Sequence, residues 1–305
     1  MTAILLTGRT GQVGWELERA LAGIGSVIAT DRRQLDLTKP DSIRAAIRQA
    51  RPDVIVSAAG YTNVDQAEGE PELAMQINGV APGILAEEAK RLGALLVHYS
   101  TEYVYDGTLG RPYREEDEPH PLNVYGRTKL AGDRAIQASG CAHLILRTSW
   151  VYGARGRNFV LTILKLAREK ARLPVVEDQT GSPSWARKIA EATATLLSQP
   201  DVARANSGIF HIAAAGHATR YEFACAIVET MRKFTGQADG WAEVQPIRSA
   251  QYPLPAARPH GLVTSKDKLA RVFGLALPDW RDELAAFLAE LAANPQWKSR
   301  LLAGT

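Results

Sequence analysis

The sequence has little cysteine and no grouping of metal ligands. Only two cysteines, Cys141 and Cys225, occur in 305 residues, far apart and without metal-ligand spacing. The six histidines show no such spacing either, and no partnered Cys or Ser, so we interpret them as structural or surface residues. These absences argue against a disulfide scaffold, a zinc site or a Cys–His nucleophile, and they predict two reduced thiols.

Other absences narrow the class further. No apolar run approaches the ~18 residues that span a bilayer. The N-terminus enters a strand pattern without the charged region and cleavage site of a signal peptide. The net charge of +3 is small and evenly spread, which argues against nucleic acid as the main partner. We therefore expect a soluble cytoplasmic protein with neither membrane nor nucleic-acid partners.

What the sequence does contain is a glycine-rich segment, 7–14, between a predicted strand at 3–6 and a predicted helix at 13–22. Its spacing is G-x-x-G-x-x-G, on Gly8, Gly11 and Gly14. Glycines allow a pyrophosphate to approach the backbone, and a helix N-terminus presents free N–H groups to it. The segment is therefore a candidate phosphate cradle, with a plain strand–helix turn as the alternative.

The hydrophobic pattern alternates between strands and helices through the first half of the chain. Further strands are predicted at 26–30, 54–59, 94–100 and 143–147, and helices at 40–50, 72–92 and 123–138. This order predicts an α/β fold with a doubly wound parallel sheet, similar to the Rossmann fold. We expect residues 1–150 to form the nucleotide-binding domain and 151–305 mostly a smaller substrate lobe. A segment near 185–214 would return to the sheet, and 246–259, with four prolines, would be irregular.

Charged residues after the second strand bear on the choice of cofactor. Asp31 lies where a carboxylate commonly accepts hydrogen bonds from the adenosine ribose, which favours NADH. Arg32 and Arg33 follow it, and Arg9 lies in the glycine segment; these guanidinium groups could hold the 2′-phosphate of NADPH. The sequence leaves both cofactors open.

A second signal is the pair Tyr125 and Lys129, which lie one turn apart on a predicted helix. A nearby ammonium would lower the pKa of the phenol and make it a usable acid near neutral pH. Alone, the pattern also describes an ordinary surface pair. The order of the motifs decides between the two: glycine segment, acidic residue, hydroxyl-rich strand end, then Y-x-x-x-K.

With these motifs in this order, residues 3–153 resemble the extended short-chain dehydrogenase/reductase family. Within it, segments 59–68, 100–107, 147–153 and 178–183 are similar to the dTDP-4-dehydrorhamnose reductases. The resemblance implies an enzyme that reduces the 4-keto group of dTDP-4-dehydro-L-rhamnose to give dTDP-L-rhamnose. Tyr125 would donate the proton, Lys129 would tune Tyr125 and hold the nicotinamide ribose, and Thr101 would bind the keto oxygen. The cofactor would be NADPH or NADH, and the enzyme a homodimer.

The same resemblance implies two sets of binding residues. The cofactor would contact Gly8, Thr10, Gly11, Gln12, Val13, Gly14, Asp31, Arg32, Asp36, Leu37, Ala58, Ala59, Gly60, Tyr125 and Lys129. The dTDP-sugar would contact Thr62, Val64, Glu102, Tyr103 and Trp150. A core aromatic is the alternative for Trp150. Asn78 matches a position that often orders water near the catalytic residues; a helix-surface amide is its alternative.

Two features of the sequence depart from the family pattern, and two other functions are alternatives to the reductase. Glu102 stands where the family usually has Asp, which bears on the exact sugar. Some relatives carry magnesium between subunits through glutamates; Glu16 could match one of them, but the stretch around Arg187 supplies no second, so no metal is predicted. A sugar-nucleotide epimerase or dehydratase of the same superfamily is one alternative, although a dehydratase needs paired carboxylates beside Thr101. A non-catalytic regulatory subunit is the other.

Overall fold

The computed structural model describes residues 1–236, 239–295 and 297. The strands are β1 (Thr2–Thr7), β2 (Gly25–Thr30), β3 (Val54–Ser57), β4 (Leu95–Thr101), β5 (His143–Thr148), β6 (Val151–Tyr152), β7 (Arg172–Val176), β8 (Thr180–Gly181), β9 (Ser184–Trp185), β10 (Gly208–His211), β11 (Ala218–Thr219) and β12 (Glu243–Ile247). The helices are α1 (Gln12–Leu21), α2 (Pro40–Ala50), α3 (Val64–Gly69), α4 (Pro71–Met75), α5 (Ala81–Leu92), α6 (Val124–Ser139), α7 (Phe159–Glu169), α8 (Ala186–Leu197), α9 (Pro200–Ala205), α10 (Arg220–Thr235), α11 (Asp267–Phe273) and α12 (Trp280–Ala293). Short 3₁₀ turns occur at Glu102–Val104 and Ser249–Gln251.

Six strands form one parallel sheet in the order β10-β5-β4-β3-β1-β2. Alternate residues of each strand face opposite sides, so Leu6 joins a core beneath α1 and α8, while Leu5 joins a core beneath α2 and α5. Every residue of β3 and β4 is buried, as expected for strands covered on both faces. The predicted doubly wound α/β fold is confirmed.

The second half of the chain forms its own hydrophobic core. Aromatic side chains from α7, α10 and α12, with Tyr152 and Trp185, pack edge to face and stacked around Phe223 and Phe287. Between α7 and α10, the chain returns to the main sheet, where β10 lies beside β5. The boundary at residue 150 stays a prediction, and residues 237–238, 296 and 298–305 of the predicted lobe lie outside the described residues.

Several segments differ from the expectations. The helix predicted at 72–92 is interrupted by a π-helical turn at Gln76–Val80, which joins α4 to α5. Part of the segment expected to be irregular is strand β12, which pairs with β7 alone and therefore tolerates Pro246 at a sheet edge. Helices α3, α9 and α11 were not predicted. Among the described residues, no helix is long and apolar enough to cross a membrane.

Candidate active site at the carboxyl edge of the sheet

The glycine segment is a tight cradle against the end of β3. Gly8 has φ +77°, a conformation that favours glycine, and a Cβ there would lie 2.8 Å from the backbone nitrogen of Ala59. A Cβ on Gly14 would lie 2.0 Å from the carbonyl oxygen of Gly8. Side chains are therefore excluded at both positions, and their absence allows the N-terminus of α1 to lie close to the loop. This geometry fits the pyrophosphate of a dinucleotide.

Neighbouring predicted cofactor residues surround this cradle. Gly11 precedes α1 and has no side chain to occupy the first-turn N–H groups. Gln12 is held through its Oε1 by the Nδ2 of Asn158, 2.9 Å away, which ties the second lobe to α1. Thr10 is exposed at the tip, and Val13 packs into the sheet core. Ala58, Ala59 and Gly60 continue from β3 along the same edge.

The end of β2 carries the residues that bear on the cofactor's ribose. Asp31 accepts a hydrogen bond from the backbone N–H of Arg33, at 2.8 Å. Arg9, in contrast, is engaged in an ion pair of 2.7 Å with Glu18 on α1. The side chain of Arg32 is 78% exposed and lies 3.8 Å from the carboxylate of Asp36. The guanidinium of Arg32 is thus more available to a phosphate than that of Arg9.

The next turn has a structural role of its own. The carboxylate of Asp36 accepts hydrogen bonds from the backbone N–H and the hydroxyl of Thr38, at 3.0 and 2.7 Å. These bonds lower the pKa of Asp36. Leu37 is buried in the core beneath α2. Both residues therefore shape the floor next to β2, and their contact with a cofactor stays a prediction.

The three predicted catalytic residues lie on two neighbouring elements. Thr101 ends β4, and Tyr125 and Lys129 lie on α6, whose N-terminus is capped by the side chain of Asn123. Helix α6 approaches the backbone beyond β4 closely because Gly126 has no side chain; a Cβ there would lie 2.2 Å from the carbonyl oxygen of Tyr103. The Thr101 hydroxyl lies close enough to the phenol of Tyr125 to lower its pKa, so the structure brings these two residues together.

The electrostatics of Tyr125 differ from the expectation. Burial raises its pKa to about 12, and hydrogen bonding with Thr101 offsets only part of this effect. The predicted lowering by Lys129 is wrong for the free chain. The reason is that the Lys129 ammonium donates to the carbonyl oxygen of Tyr99, at 2.5 Å, and lies 3.2 Å from Nε2 of His98. Burial in turn lowers the pKa of Lys129 to about 8.

Glu102 is buried directly after Thr101, in a positively charged environment. Burial raises its pKa to about 8, while a hydrogen bond with Ser149 and the charges of Arg220 and Lys266 act in the opposite direction. Within the described part of the chain, its Oε2 is buried without a hydrogen-bond partner. A sugar hydroxyl could supply that partner.

Trp150 and Tyr103 form the side of the site that faces the second lobe. Trp150 has φ +38°, a strained conformation for a tryptophan, and its ring lies 3.5 Å below the guanidinium carbon of Arg220. Arg220 also interacts electrostatically with Tyr103, whose ring meets Tyr125 edge-on with centroids 5.8 Å apart. Trp150 is half-buried against the second-lobe core, so it combines packing with exposure to the site.

Thr62 and Val64 lie between the end of β3 and the first turn of α3. Thr62 is exposed and Val64 half-buried. Asn78, in the π-helical turn, is buried; its amide accepts from the backbone N–H of Tyr61 and donates to the carbonyl of Tyr61, both at 2.9 Å. The helix-surface interpretation of Asn78 is therefore wrong, because this residue clamps the Gly60–Tyr61 segment.

Sequence reasoning missed Arg220, Lys266 and His98 as neighbours of the site. Arg220 lies within a Thr219–Glu222 capping box, a signal for a helix start that says nothing of a contact with Tyr103. Lys266 donates a hydrogen bond of 3.0 Å to the hydroxyl of Ser182. The stretch of sequence that contains Lys266 has no motif. His98 lies inside a buried strand, where a histidine is usually structural.

The glutamate compared with a magnesium site has a different partner. Glu16 accepts a hydrogen bond of 3.3 Å from Nε of Arg187 on α8, and the same guanidinium is paired with Glu290 on α12. A protein cation thus lies between the two carboxylates. The described residues contain no group of three or more metal ligands. That no metal is required stays a prediction.

Comparisons with known proteins agree with this geometry. A family model described as the RmlD substrate binding domain matches residues 1–293. A dTDP-4-dehydrorhamnose reductase of Burkholderia thailandensis is 45% identical over 296 residues, which cover 95% of this chain and 99% of that protein.

Two solved structures are similar over nearly their whole length. A dTDP-4-dehydrorhamnose reductase from Clostridium acetobutylicum has a TM-score of 0.86 and 34% identity, covering 94% of this chain and 99% of that one. One from Bacillus anthracis, in complex with NADP, also has a TM-score of 0.86, with 31% identity and coverage of 95% and 99%.

Proposed function

Because this chain belongs to the RmlD substrate binding domain family, we propose that it is an NADPH-dependent dTDP-4-dehydrorhamnose reductase. It reduces the 4-keto group of dTDP-4-dehydro-L-rhamnose to a hydroxyl and so forms dTDP-L-rhamnose. The observation that carries the proposal is the meeting of the glycine cradle with Thr101, Tyr125 and Lys129 at one edge of the sheet. Its relatives at 45% identity and in solved structures have this activity by name.

The bound cofactor supplies the hydride that C4 of the sugar receives. The protein's own part is to hold the ketone and to provide a proton. Tyr125 keeps its proton at neutral pH because its pKa is about 12 in the buried site, and it gives that proton to the keto oxygen as negative charge develops there. The Thr101 hydroxyl donates a hydrogen bond to the same oxygen. The Lys129 ammonium holds the ribose hydroxyls beside Tyr125.

The proposed cofactor is NADPH, with NADH as a weaker alternative. The Bacillus anthracis relative binds NADP. Here the exposed guanidinium of Arg32 next to the end of β2 is a suitable donor to a 2′-phosphate. Asp31 opposes it by its charge, although one carboxylate oxygen already accepts the Arg33 N–H.

The proposed sugar site lies between Thr62 and Val64 on one rim and Trp150 on the other. Glu102 accepts a hydrogen bond from a sugar hydroxyl at its unpartnered Oε2, and the charge of Arg220 acts on both Glu102 and Tyr103. A dehydratase is disfavoured because the residue beside Glu102 is Tyr103 and not a second carboxylate. We also propose, as further expectations, that the enzyme is cytoplasmic and forms a homodimer.

A coupled assay tests the function. dTDP-glucose is converted by a dehydratase and a 3,5-epimerase, and oxidation of NADPH or NADH at 340 nm is followed after this protein is added. We expect oxidation that depends on every component and a product that co-elutes with dTDP-L-rhamnose. No oxidation with either cofactor would sink the proposal. Release of tightly held NAD on denaturation of fresh protein would instead revive the epimerase interpretation.

A further inference from the structure

His98 is a buried histidine that touches the proposed catalytic lysine. It lies in β4 with 1% of its surface exposed, and its register partner in β3 is Ser57. Its Nδ1 is 3.2 Å from the hydroxyl of Ser57, and its Nε2 is 3.2 Å from the Nζ of Lys129. One imidazole therefore connects β3, through β4, to the ammonium on α6.

The chemistry of the three groups fixes the direction of these hydrogen bonds. An ammonium has donors and no acceptor, so Nε2 of His98 must accept from Lys129. The remaining proton of the neutral ring is then on Nδ1, which donates to the hydroxyl oxygen of Ser57. Burial, and the nearby Lys129 charge, hold the pKa of His98 well below its usual value, so the ring remains neutral.

We propose that His98 is a positioning residue for Lys129: its neutral ring, oriented by Ser57, and the carbonyl of Tyr99 together hold the ammonium beside the end of β4. The inference rests on the proposed function only for what Lys129 does there, namely holding the cofactor's ribose beside Tyr125. The Lys129 contacts themselves belong to the free protein.

The other polar and charged groups around Lys129 determine how its pKa changes when His98 is removed. On α6, Asp133 favours the ammonium, but its Oδ2 is already engaged by Arg147 of β5 at 3.1 Å. Tyr125 is neutral, and the phenol of Tyr99 is turned away to Thr193, 2.6 Å distant. Loss of the imidazole thus removes one of two acceptors from a buried ammonium, which lowers the pKa of Lys129 further from about 8.

The first test uses cofactor-free protein and is independent of the reaction. The Nζ resonance of Lys129 is titrated by NMR in ¹⁵N-lysine-labelled protein, with Lys129→Met for assignment. We expect His98→Leu to lower the pKa of Lys129 by about 1, a tenfold change in its protonation equilibrium. His98→Gln, which retains an acceptor, restores most of it. Ser57→Ala shifts it in the same direction by less, and serves if His98→Leu does not fold.

His143→Leu is the matched control, since this strand histidine contacts the carbonyl of Cys141 and not Lys129. In the folded variants, an unchanged Lys129 titration for both His98→Leu and Ser57→Ala overturns the proposal.

The second test links this position to function through the pH profile. Loss of the protonated lysine above its pKa produces the basic limb of kcat/KM, so His98→Leu moves that limb to lower pH and raises the NADPH dissociation constant about fivefold at pH 8 and less at pH 6.5. A purely structural role would lower activity equally at all pH values. If wild-type protein fails to reduce the dTDP-sugar, the proposed function fails while the NMR result still decides the role of His98.

Discussion

The phenol of Tyr125 carries the proton transfer in the proposed reduction. Phenylalanine removes the hydroxyl but keeps the ring and its edge contact with Tyr103. We expect Tyr125→Phe to lower kcat by about 10²–10⁴-fold. The NADPH dissociation constant, measured by fluorescence titration, changes by less than about twofold because the cradle is untouched. Tyr221→Phe on α10 is the control. Unchanged turnover in Tyr125→Phe removes this residue from the mechanism.

The guanidinium of Arg32 decides cofactor preference in our interpretation. Its side chain is exposed and meets Asp36 only at 3.8 Å, whereas Arg9 is engaged with Glu18. Arg32→Ala therefore raises KM for NADPH about tenfold and leaves KM for NADH nearly unchanged. Arg9→Ala is the comparison, with a smaller effect on NADPH. An equal rise of both KM values for Arg32→Ala contradicts this assignment.

Individual elements differ in how much their sequence reveals. The Y-x-x-x-K pair lies on a helix as predicted, and Asn123 provides the helix start that its side chain caps. The π-helical turn at Gln76–Val80 was hidden because its residues continue an ordinary helical pattern. It is visible only when Asn78 meets the backbone of Tyr61, a contact formed by the fold. Arg220 was missed for the same reason, since its partners come from distant elements.

Helix α8 begins against a buried carboxylate, and this contact makes stability depend on pH. Oε2 of Glu283 on α12 accepts the backbone N–H of Trp185 at 2.8 Å, at the start of α8. Burial raises the pKa of Glu283 from 4.5 to about 8. A raised carboxyl pKa means that the folded state binds the proton more tightly than the unfolded state does. The stabilising contribution of protonated Glu283 is therefore fully present below pH 4.5 and is lost as the pH rises through 8.

Glu283→Gln retains an acceptor for Trp185 and cannot ionise. We expect its free energy of unfolding, from urea titrations, to gain at least about 1 kcal/mol relative to wild type between pH 5.5 and pH 8.5. Glu87→Gln, at an exposed position on α5, is the control and shows no such trend. A constant difference between Glu283→Gln and wild type across this range contradicts the argument.

At the scale of the whole molecule, the chemistry lies where two cores meet. The sheet core and the order of its strands follow from patterns that the sequence displays, and the family resemblance is confirmed. The second core is harder to predict from the sequence, because Phe223 and Phe287 come from two separate helices, α10 and α12, whose contact no local pattern indicates. How the lobe folds over Trp150 depends on contacts such as that of Arg220, which carry no local signal.

Arg187 connects three parts of the molecule, and its charge bears on the predicted absence of a required metal. It lies between Glu16 of α1, which is buried, and Glu290 of α12. Arg187→Leu leaves the Glu16 carboxylate without a cation, so we expect a loss of about 2 kcal/mol in the free energy of unfolding. Lys188→Leu, which removes a surface pair with Glu191 on the same helix, changes it by less than about 0.5 kcal/mol.

The same cluster predicts that wild-type turnover is insensitive to EDTA, because the Arg187 guanidinium already lies between the Glu16 and Glu290 carboxylates. Turnover measured after dialysis against EDTA therefore equals that of untreated protein, and magnesium neither raises it nor increases the thermal midpoint. For Arg187→Leu, by contrast, Glu16 and Glu290 lose the cation that they share, and added magnesium recovers part of the lost stability. Inactivation of wild type by EDTA, reversed by magnesium, would show that a metal is required elsewhere and contradict the prediction.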